Sequence, residues 1–529
     1  MSSTRKKARK KAGSKSPEPE LLTAIHIGAS SVSMLIAQRQ AKSFKIVDFL
    51  EKPAALGSDI FSAGSISHET TELVVEIIQA FQEAIREVGL DPHKINRAAA
   101  TNIVTEAENH ERFINRIRVA CGLRISPIDD GEMTRLIYLK TRRRLKDIPA
   151  MRRDSTLLVH VGPGNTRALL FKKGSITRYT SYRLGTHRTR EAVDATNAEG
   201  SSLQRVIREH ISSNLSQMRY DYSDEKINAM VIIGNELQSI GPAMIQSGTS
   251  CTVKKMAKLT AECADLSDVA LVKRFRLDYQ TAEALLPALE INLAIAETFG
   301  LQRVHIPSSG YEQGLLMDLL VSGELTGKLA VEVLRSAKIL ARRYQSDPSH
   351  GDHVRSICEF LFEQLKELHQ LDEHDFLLLQ VAAILHEVGT YVSPRAHHKH
   401  SEYLILNSEI FGLDRHDVTL IALIARYHRH SGPDLSHNRY AALDTASRIR
   451  VCKISAILRV ADALERTHAQ RVSQIKVRIQ NGKLHIRLPG IADASVERLA
   501  MQSKGDLFEQ IFGLAIVISD DQGSITSDN

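Results

Sequence analysis

The feature that most narrows the fold is a plan that occurs twice: an apolar strand, a glycine-bearing turn and a second strand. Leu21 to Ile27 runs into Gly28-Ala29-Ser30-Ser31 and leaves as Val32 to Ala37, and Leu157 to Val161 runs into Gly162-Pro163-Gly164-Asn165-Thr166 and leaves as Ala168 to Phe171. Short continuous apolar runs bounded by turn residues read as strands buried on both faces, so the two stretches read as pseudo-repeats. Phe44 to Leu50 adds a strand to the first copy, and Thr70 to Val88 adds a helix with Leu73, Val74, Ile77, Ile78, Phe81 and Ile85 at helical spacing. Met230 to Ile233, ending at Gly234, gives the second copy another strand-to-glycine junction.

Glycine turns let backbone N–H groups approach an anion, because no Cβ intervenes and positive φ costs little. Two pseudo-symmetric turns with small hydroxyl or amide residues are the arrangement by which actin-like ATPase folds clasp phosphates between two lobes; ordinary hairpin turns are the alternative. The candidate phosphate-binding residues are Gly28, Ser30, Ser31, Gly162, Gly164, Asn165, Thr166, Arg167 and Gly234.

A chain of 529 residues is too long for one core, since cores stop growing at roughly 250–300 residues. The expected division is a basic tail over 1–20, one α/β lobe over 21–140, a second over 141–324, an all-α domain over 325–470 and a small α/β domain over 471–529. The all-α stretch shows amphipathic helices from Leu325 to Leu464 and holds twelve of the 22 histidines, between His350 and His437. After Val472 come strands Ile475 to Ile479 and Leu484 to Leu488 about an Asn481-Gly482 turn, a helix through Leu507 and Phe508, and a strand Leu514 to Ser519.

Composition sets the setting. Hydrophobic residues at 43% and charged residues at 25% are ordinary for a soluble chain, and no apolar run approaches the ~20 residues of a membrane helix, so no membrane partner is expected. The five cysteines lie far apart without a C-x-x-C pair, which argues against a zinc knuckle or a disulfide framework and for a reducing cytoplasm. Of the net charge of +7, the first twenty residues supply +5, seven Lys/Arg against Glu18 and Glu20. That arm reads as a disordered basic tail, not a secretory signal, and is the only segment that could touch nucleic acid or polyphosphate; a solvated tail with no specific partner is the alternative. The run Arg142, Arg143, Arg144 and Lys146 reads as a solvated helix face.

Along residues 21–520 the chain resembles the exopolyphosphatase and guanosine-pentaphosphate phosphatase family (Ppx/GppA). Ile25 to Ser31 is similar to the family's D-x-G-S-N-S loop, Ala99 to Ala107 to its A-T-S-A-x-R-E-A stretch, Arg135 to Leu139 to its E-A-R-L-I-Y-L segment, and Leu158 to Thr166 to V-I-D-I-G-G-G-S-T. Ser181 to Gly185 resembles the segment that follows, and Gly310 to Leu320 the G-L-R-E-G-L-L-x-D-L-L helix start. The resemblance implies an actin-like (ribonuclease H-like) pair of lobes, then an HD-like helical domain and a small α+β cap. It implies polyphosphate or guanosine tetra- or pentaphosphate as ligand, and Mg²⁺ as cofactor if the chain is catalytic.

The departures fall on the chemistry. The family's loop acids correspond to His26 and His160, and the Glu after the second loop to Arg167; the arginine of A-x-R-E-A is Thr105. The catalytic Glu falls on Met133, leaving Glu132 as the neighbouring acidic candidate. Phosphoanhydride hydrolysis needs carboxylates to hold Mg²⁺ and to orient water, and loss of a positioned base forfeits about 10²- to 10⁴-fold in rate. The expected function is therefore recognition of a polyphosphorylated ligand with hydrolysis weak or lost. The alternative is an active phosphohydrolase working through Glu132 or through the helical domain.

In that domain Tyr344-x-x-Asp347-x-x-His350, Leu385-His386-Glu387-Val388-Gly389, His397-His398-Lys399-His400-Ser401, Arg426-Tyr427-His428-Arg429 and Leu458-Arg459-Val460-Ala461-Asp462 resemble the HD-type relatives. His350, His386, Glu387 and Asp462 match the H, HD and D positions and are the candidate ligands of a transition metal. Hydrogen bonding among packed helices is the other reading of the same residues. Glu387 in place of Asp lengthens the bridging arm by one methylene. The oligomeric state, homodimer included, stays open.

Overall fold

The computed structural model describes residues 20–40, 43–145, 148, 151, 155–194, 196, 198, 200–245, 248–307, 316–317, 320, 327–429 and 432–519. The basic tail lies outside them, as do the side chains of Arg142, Arg143, Arg144 and Lys146, and of the Gly310 to Leu320 motif only Leu316, Met317 and Leu320 fall within. The chain forms two compact units, Met1–Pro127 with Glu312–Val321, and Ile128–Tyr311 with Ser322–Asn529.

The first unit is a sheet of β1 (Leu21–Ile27), β2 (Ser31–Gln40), β3 (Ser43–Pro53), β4 (Arg97–Ala100) and β5 (Ser126–Pro127) in the order β3-β2-β1-β4-β5. β1, β2 and β3 pair antiparallel, and β4 and β5 continue the sheet in parallel. The run Leu22 to Ile27 is buried throughout, which is why it reads as a continuous apolar strand and not an alternating one. Helix α1 (His68–Glu87) begins at Ser67, whose side chain accepts from the Thr70 amide, and lays Val74, Ile77, Ile78, Phe81 and Ile85 on the core. Leu73, expected on the same face, is instead 41% exposed. Helix α2 (His110–Cys121) adds Phe113 and Ile117 to the core.

In the second unit α3 (Asp130–Leu145) precedes a sheet of β6 (Ser155–Val161), β7 (Thr166–Lys172), β8 (Ser175–Tyr182), β9 (Ala229–Ile233), β10 (Ser250–Thr252) and β11 (Arg303–His305). Its order is β10-β11-β9-β6-β7-β8. The meander β6-β7-β8 followed by parallel β9 repeats the plan of the first sheet, the doubled arrangement of an actin-like fold. Helices α4 (Thr186–Asp194), α5 (Gly200–Asp221) and α6 (Tyr279–Thr298) pack against it. α6 is buried almost along its length, and its one interior acid, Glu290, is bonded by Gln204 at 2.7 Å and Arg208 at 2.9 Å, as a buried carboxylate requires.

The same unit continues into helices α7 (Gly327–Arg343), α8 (Pro348–Gln364), α9 (Glu373–Leu385), α10 (His397–Leu406), α11 (Arg415–Arg426) and α12 (Thr445–Leu464). Asp347, Asp372, Asp414 and Asp444 cap α8, α9, α11 and α12 by accepting backbone N–H bonds, each such cap contributing about 1 kcal/mol. Tyr138 of α3 joins the lobe to the helices: it stacks on Phe171 at 6.2 Å and meets Phe411 edge-on at 5.1 Å.

The C-terminal segment holds β12 (Lys476–Gln480), β13 (Lys483–Arg487), α13 (Ser495–Lys504), α14 (Asp506–Phe512) and β14 (Ala515–Ser519), with β12 antiparallel and β14 parallel to β13. Asn481 and Gly482 both take positive φ, 53° and 70°, the two-residue hairpin turn expected of Asn-Gly. α13 was not expected, for a physical reason: Leu499 is 70% exposed while Glu497 and Lys504 are buried beside Ala500 and Met501, so apolar and charged residues share its buried face and no apolar stripe marks it.

Candidate functional site

Each glycine turn closes on itself. In the first unit the Gly28 amide donates to Ser31 O at 2.8 Å, the Ser30 carbonyl accepts from the Ala54 amide at 2.9 Å, and the Ser31 hydroxyl donates to Glu51 at 2.8 Å. His26 is buried beside this turn; a Cβ on Gly28 would stand 3.6 Å from its ring. Glu51, on β3, is an acid at the first loop that sequence reading missed, because only the β2–β3 register brings it there.

The second turn repeats the pattern in the second unit. The Gly162 amide donates to Asn165 O at 2.9 Å, and the buried Thr166 hydroxyl donates to Leu184 O at 2.6 Å. The Gly162 carbonyl accepts from the Thr186 amide at 3.0 Å, the Pro163 carbonyl from the His187 and Arg188 amides at 3.0 and 3.2 Å, and Gly164 O from Arg188 Nε at 3.2 Å. A Cβ on Gly185 would fall 2.2 Å from Pro163 O, so glycine is what lets this segment lie against the loop. His160 and Arg167 are cross-strand partners in the β6–β7 ladder, both buried. A Cβ on Gly162 would meet the His160 ring at 3.3 Å and an Arg167 guanidinium nitrogen at 3.8 Å. Imidazole and guanidinium thus flank the turn where the family resemblance implies carboxylates. Gly234 follows β9, beside β6, with the Glu236 carboxylate 3.4 Å from where its Cβ would be. Glu236 was also missed, since its sequence context shows only a helix-first-turn acid.

Glu132 lies in the first turn of α3, its amide bonded to Asp129 at 2.8 Å and its carboxylate 3.5 Å from the Arg135 guanidinium, with both side chains largely buried. Met133, at the position of the family's catalytic Glu, is buried in the core.

The helical domain gathers its four candidate residues around His350 in two overlapping sets, His350 with His386 and Asp462, and His350 with Glu387 and His468. His350 comes from α8, His386 and Glu387 from the end of α9 and Asp462 from α12. His350 Nε2 lies 3.3 Å from His386 Nε2, 3.7 Å from Glu387 and 4.0 Å from Asp462; His386 Nε2 lies 3.9 Å from the same Asp462 oxygen. Gly389 makes the turn after Glu387 tight: a Cβ there would fall 2.1 Å from His397 O and 2.3 Å from Ser401 N. Ser401 fixes that approach, accepting from the Gly389 amide at 2.9 Å and donating to His386 O at 2.7 Å.

The close approach of α10 also places His397, which faces His428 of the α11 end with Nε2 atoms 3.1 Å apart, while His386 and His428 meet edge-on at 4.9 Å. The Nδ1 atoms of His386, His428 and His397 donate to Ala383, Ala425 and Pro394 carbonyls at 2.8, 2.6 and 3.1 Å. The Arg429 guanidinium is farther from His397 Nδ1, at 3.5 Å, so the carbonyl sets the tautomer. His468, in the loop after α12, stacks on His350 at 3.7 Å with rings 2° from parallel, and its Nε2 is 3.8 Å from Glu387. Lys504 of α13 forms a buried ion pair with Asp462 Oδ2. Sequence reading missed His428 as a ligand, and His468 and Lys504 altogether, because helix packing and the α12–α13 contact bring them in.

The electrostatics follow from burial. Burial lowers His350 to about 4, with His386 adding to the effect, and holds His428 well below its ordinary value and His397 below it. Burial pushes Asp462 up, but the Lys504 ammonium beside it outweighs that and holds the carboxyl low. Burial thus favours neutral imidazole at His350, His397 and His428 beside an ionised Asp462 carboxylate, the protonation state that metal ligands need. Two atoms each about 2.1 Å from one ion lie roughly 3.0–3.4 Å apart; the His350–His386 pair at 3.3 Å has that spacing, and the Glu387 and Asp462 oxygens stand wider, at 3.7–4.0 Å.

Comparison with known proteins agrees with the sequence. The family model "Ppx/GppA phosphatase family" matches residues 35–322, and "Ppx/GppA phosphatase, domain III" matches residues 334–502. The guanosine-5'-triphosphate,3'-diphosphate pyrophosphatase of Photobacterium profundum is 21% identical over 495 residues, covering 90% of this chain and 93% of that one. The protein of the same name from Vibrio atlanticus is 22% identical over 457 residues, covering 84% and 88%. Among solved structures, an Aquifex aeolicus Ppx/GppA family member is 19% identical with a TM-score of 0.46, covering 58% of this chain and 99% of that one. An exopolyphosphatase from Cytophaga hutchinsonii is 13% identical with a TM-score of 0.49, covering 57% and 98%.

Proposed function

This chain belongs to the Ppx/GppA phosphatase family, and from that premise we propose that it recognises polyphosphate or a guanosine tetra- or pentaphosphate with hydrolysis in its glycine loops weak or lost. The observation that carries the reading is the pair His160 and Arg167, set across β6 and β7 and flanking Gly162. A guanidinium at a phosphate loop supplies charge-assisted hydrogen bonds to an anion. It also repels a divalent cation, so the second loop does not fit Mg²⁺, which takes carboxylate and water oxygens. Glu132 supports catalysis poorly, because the Arg135 guanidinium lies 3.5 Å from its carboxylate and competes with substrate or water for that oxygen.

The helical cluster favours a second reading, a metal centre held by His350, His386, Glu387 and Asp462, with His397 and His428 extending the donor set. Imidazoles with carboxylates suit zinc, manganese, cobalt or iron, and a bound ion would polarise a phosphoryl oxygen or acidify water. Carbonyl bonds to Nδ1 keep Nε2 of His386, His397 and His428 free of a proton for that role. Among the described residues no helix is long and apolar enough to cross a membrane. With five free cysteines, four of them buried, a reducing cytoplasm is the location proposed.

Orthophosphate release from long-chain polyphosphate and from guanosine pentaphosphate, with Mg²⁺ and with Mn²⁺, tests the reading. Binding with little turnover is expected. Rapid release abolished by Glu132→Gln would instead establish an active exopolyphosphatase-type hydrolase, and release abolished by His386→Ala would assign it to the helical centre.

A further inference from the structure

Lys504 is only 7% exposed, yet its ammonium sits at the histidine cluster, paired with Asp462 Oδ2. The opposite oxygen of the same carboxylate, Oδ1, is the one that faces His350 and His386 at 4.0 and 3.9 Å. The C-terminal segment holds the ammonium there by specific means. Arg459, one turn before Asp462 on α12 and 0% exposed, donates to Lys504 O at 2.9 Å, Ser503 O at 3.1 Å and the Asp506 carboxylate at 2.6 Å. At the junction of α13 and α14, Gly505 permits a close turn, since a Cβ there would stand 2.9 Å from Met501 O.

We propose that Lys504 is a resident cation of the helical centre, placed there by the C-terminal segment, and that it opposes a divalent metal ion for the charge of Asp462. Two consequences follow from Coulomb's law at short range in a buried site. An ammonium on one carboxylate oxygen weakens a metal on the other. By linkage, a bound metal must in turn loosen the seat of Lys504 and of the α13–α14 junction. Lys504 thus tunes metal affinity and couples it to the docking of α13 and α14 on α12, a coupling typically about 5- to 150-fold. The inference rests on the metal reading of His350, His386 and Asp462.

Cobalt(II) titration of the full chain, followed by visible absorption, tests it. Wild-type protein should bind cobalt and His386→Ala should not; failure of both wild type and Lys504→Met to bind would overturn the metal reading itself. With that reading standing, Lys504→Met should bind cobalt at least tenfold more tightly than wild type. Equal or weaker binding by Lys504→Met would overturn the proposal, weaker binding marking Lys504 as a group that merely orients Asp462. Should the variant not fold, hydrogen exchange on wild type decides: amides of residues 495–512 should exchange faster with cobalt than without. Unchanged or slower exchange would equally overturn it.

Discussion

The Nε2 atoms of His397 and His428 face each other at 3.1 Å, each ring having committed its Nδ1 proton to a backbone carbonyl. Two lone pairs at that separation repel unless a cation lies between them, and burial disfavours a second proton on either ring. A metal ion satisfies both. His428→Ala and His397→Ala should therefore each weaken cobalt(II) binding at least tenfold, measured by titration of purified protein. Unchanged affinity in both would return the pair to core packing.

Gly389 sets the depth of the whole cluster. A methyl group at this position would overlap the backbone of His397 and Ser401, so Gly389→Ala should push α10 away from the His386–Glu387 turn. Overpacking of this kind costs about 1–3 kcal/mol or more. The measurable outcome is a melting temperature lower by several degrees, with cobalt binding impaired although no ligand has been changed.

How much of this was legible in sequence divides along a physical line. His386 and Glu387 could be read through the resemblance to HD-type relatives, which a contiguous segment, Leu385 to Gly389, carries. The glycine turns could be read because strand, turn and strand are contiguous, and both appear where expected, as β1–β2 and β6–β7. Glu51, Glu236, His468 and Lys504 could not, since strand register, a neighbouring loop and a helix–helix contact place them, and none of these is written in local periodicity. Lys504 was hidden twice over, because α13 turns Glu497 and Lys504 inward and exposes Leu499.

Arg167 separates anion recognition from magnesium chemistry. If the protein itself supplies the positive charge at the second loop, polyphosphate affinity should be similar in EDTA and in Mg²⁺. Arg167→Gln should weaken it by about 1–3 kcal/mol, the range for a charge-assisted hydrogen bond, in a filter-binding or calorimetric measurement. A strict magnesium requirement for binding would contradict the assignment.

Stability should fall on the acid side, and the reason lies in histidines that fold in the neutral form. His369 is fully buried, donating from Nε2 to Phe362 O at 2.8 Å and accepting at Nδ1 from the Leu371 amide at 2.9 Å. A second proton on this ring would break the Leu371 bond, and burial lowers its pKa. His187 is lowered to about 4, by burial and then by Arg190. For such groups the unfolded chain takes up protons first as pH drops, so their contribution is complete above about 6.5 and is lost progressively towards pH 4. His374 works in the opposite sense, raised by its hydrogen bond to Asp417 at 2.8 Å; its contribution is complete below about 6.5 and is lost as pH rises from there through its raised pKa, so it does not add to the decline on the acid side. Melting temperatures measured from pH 7 to 4.5 should therefore decline, by roughly 2–4 °C for each ~1 kcal/mol lost. His369→Asn should be less stable throughout but show a shallower decline over the same range, because one of the titrating rings is gone. A melting temperature that holds constant or rises between pH 6.5 and 5 would contradict this account of the buried imidazoles.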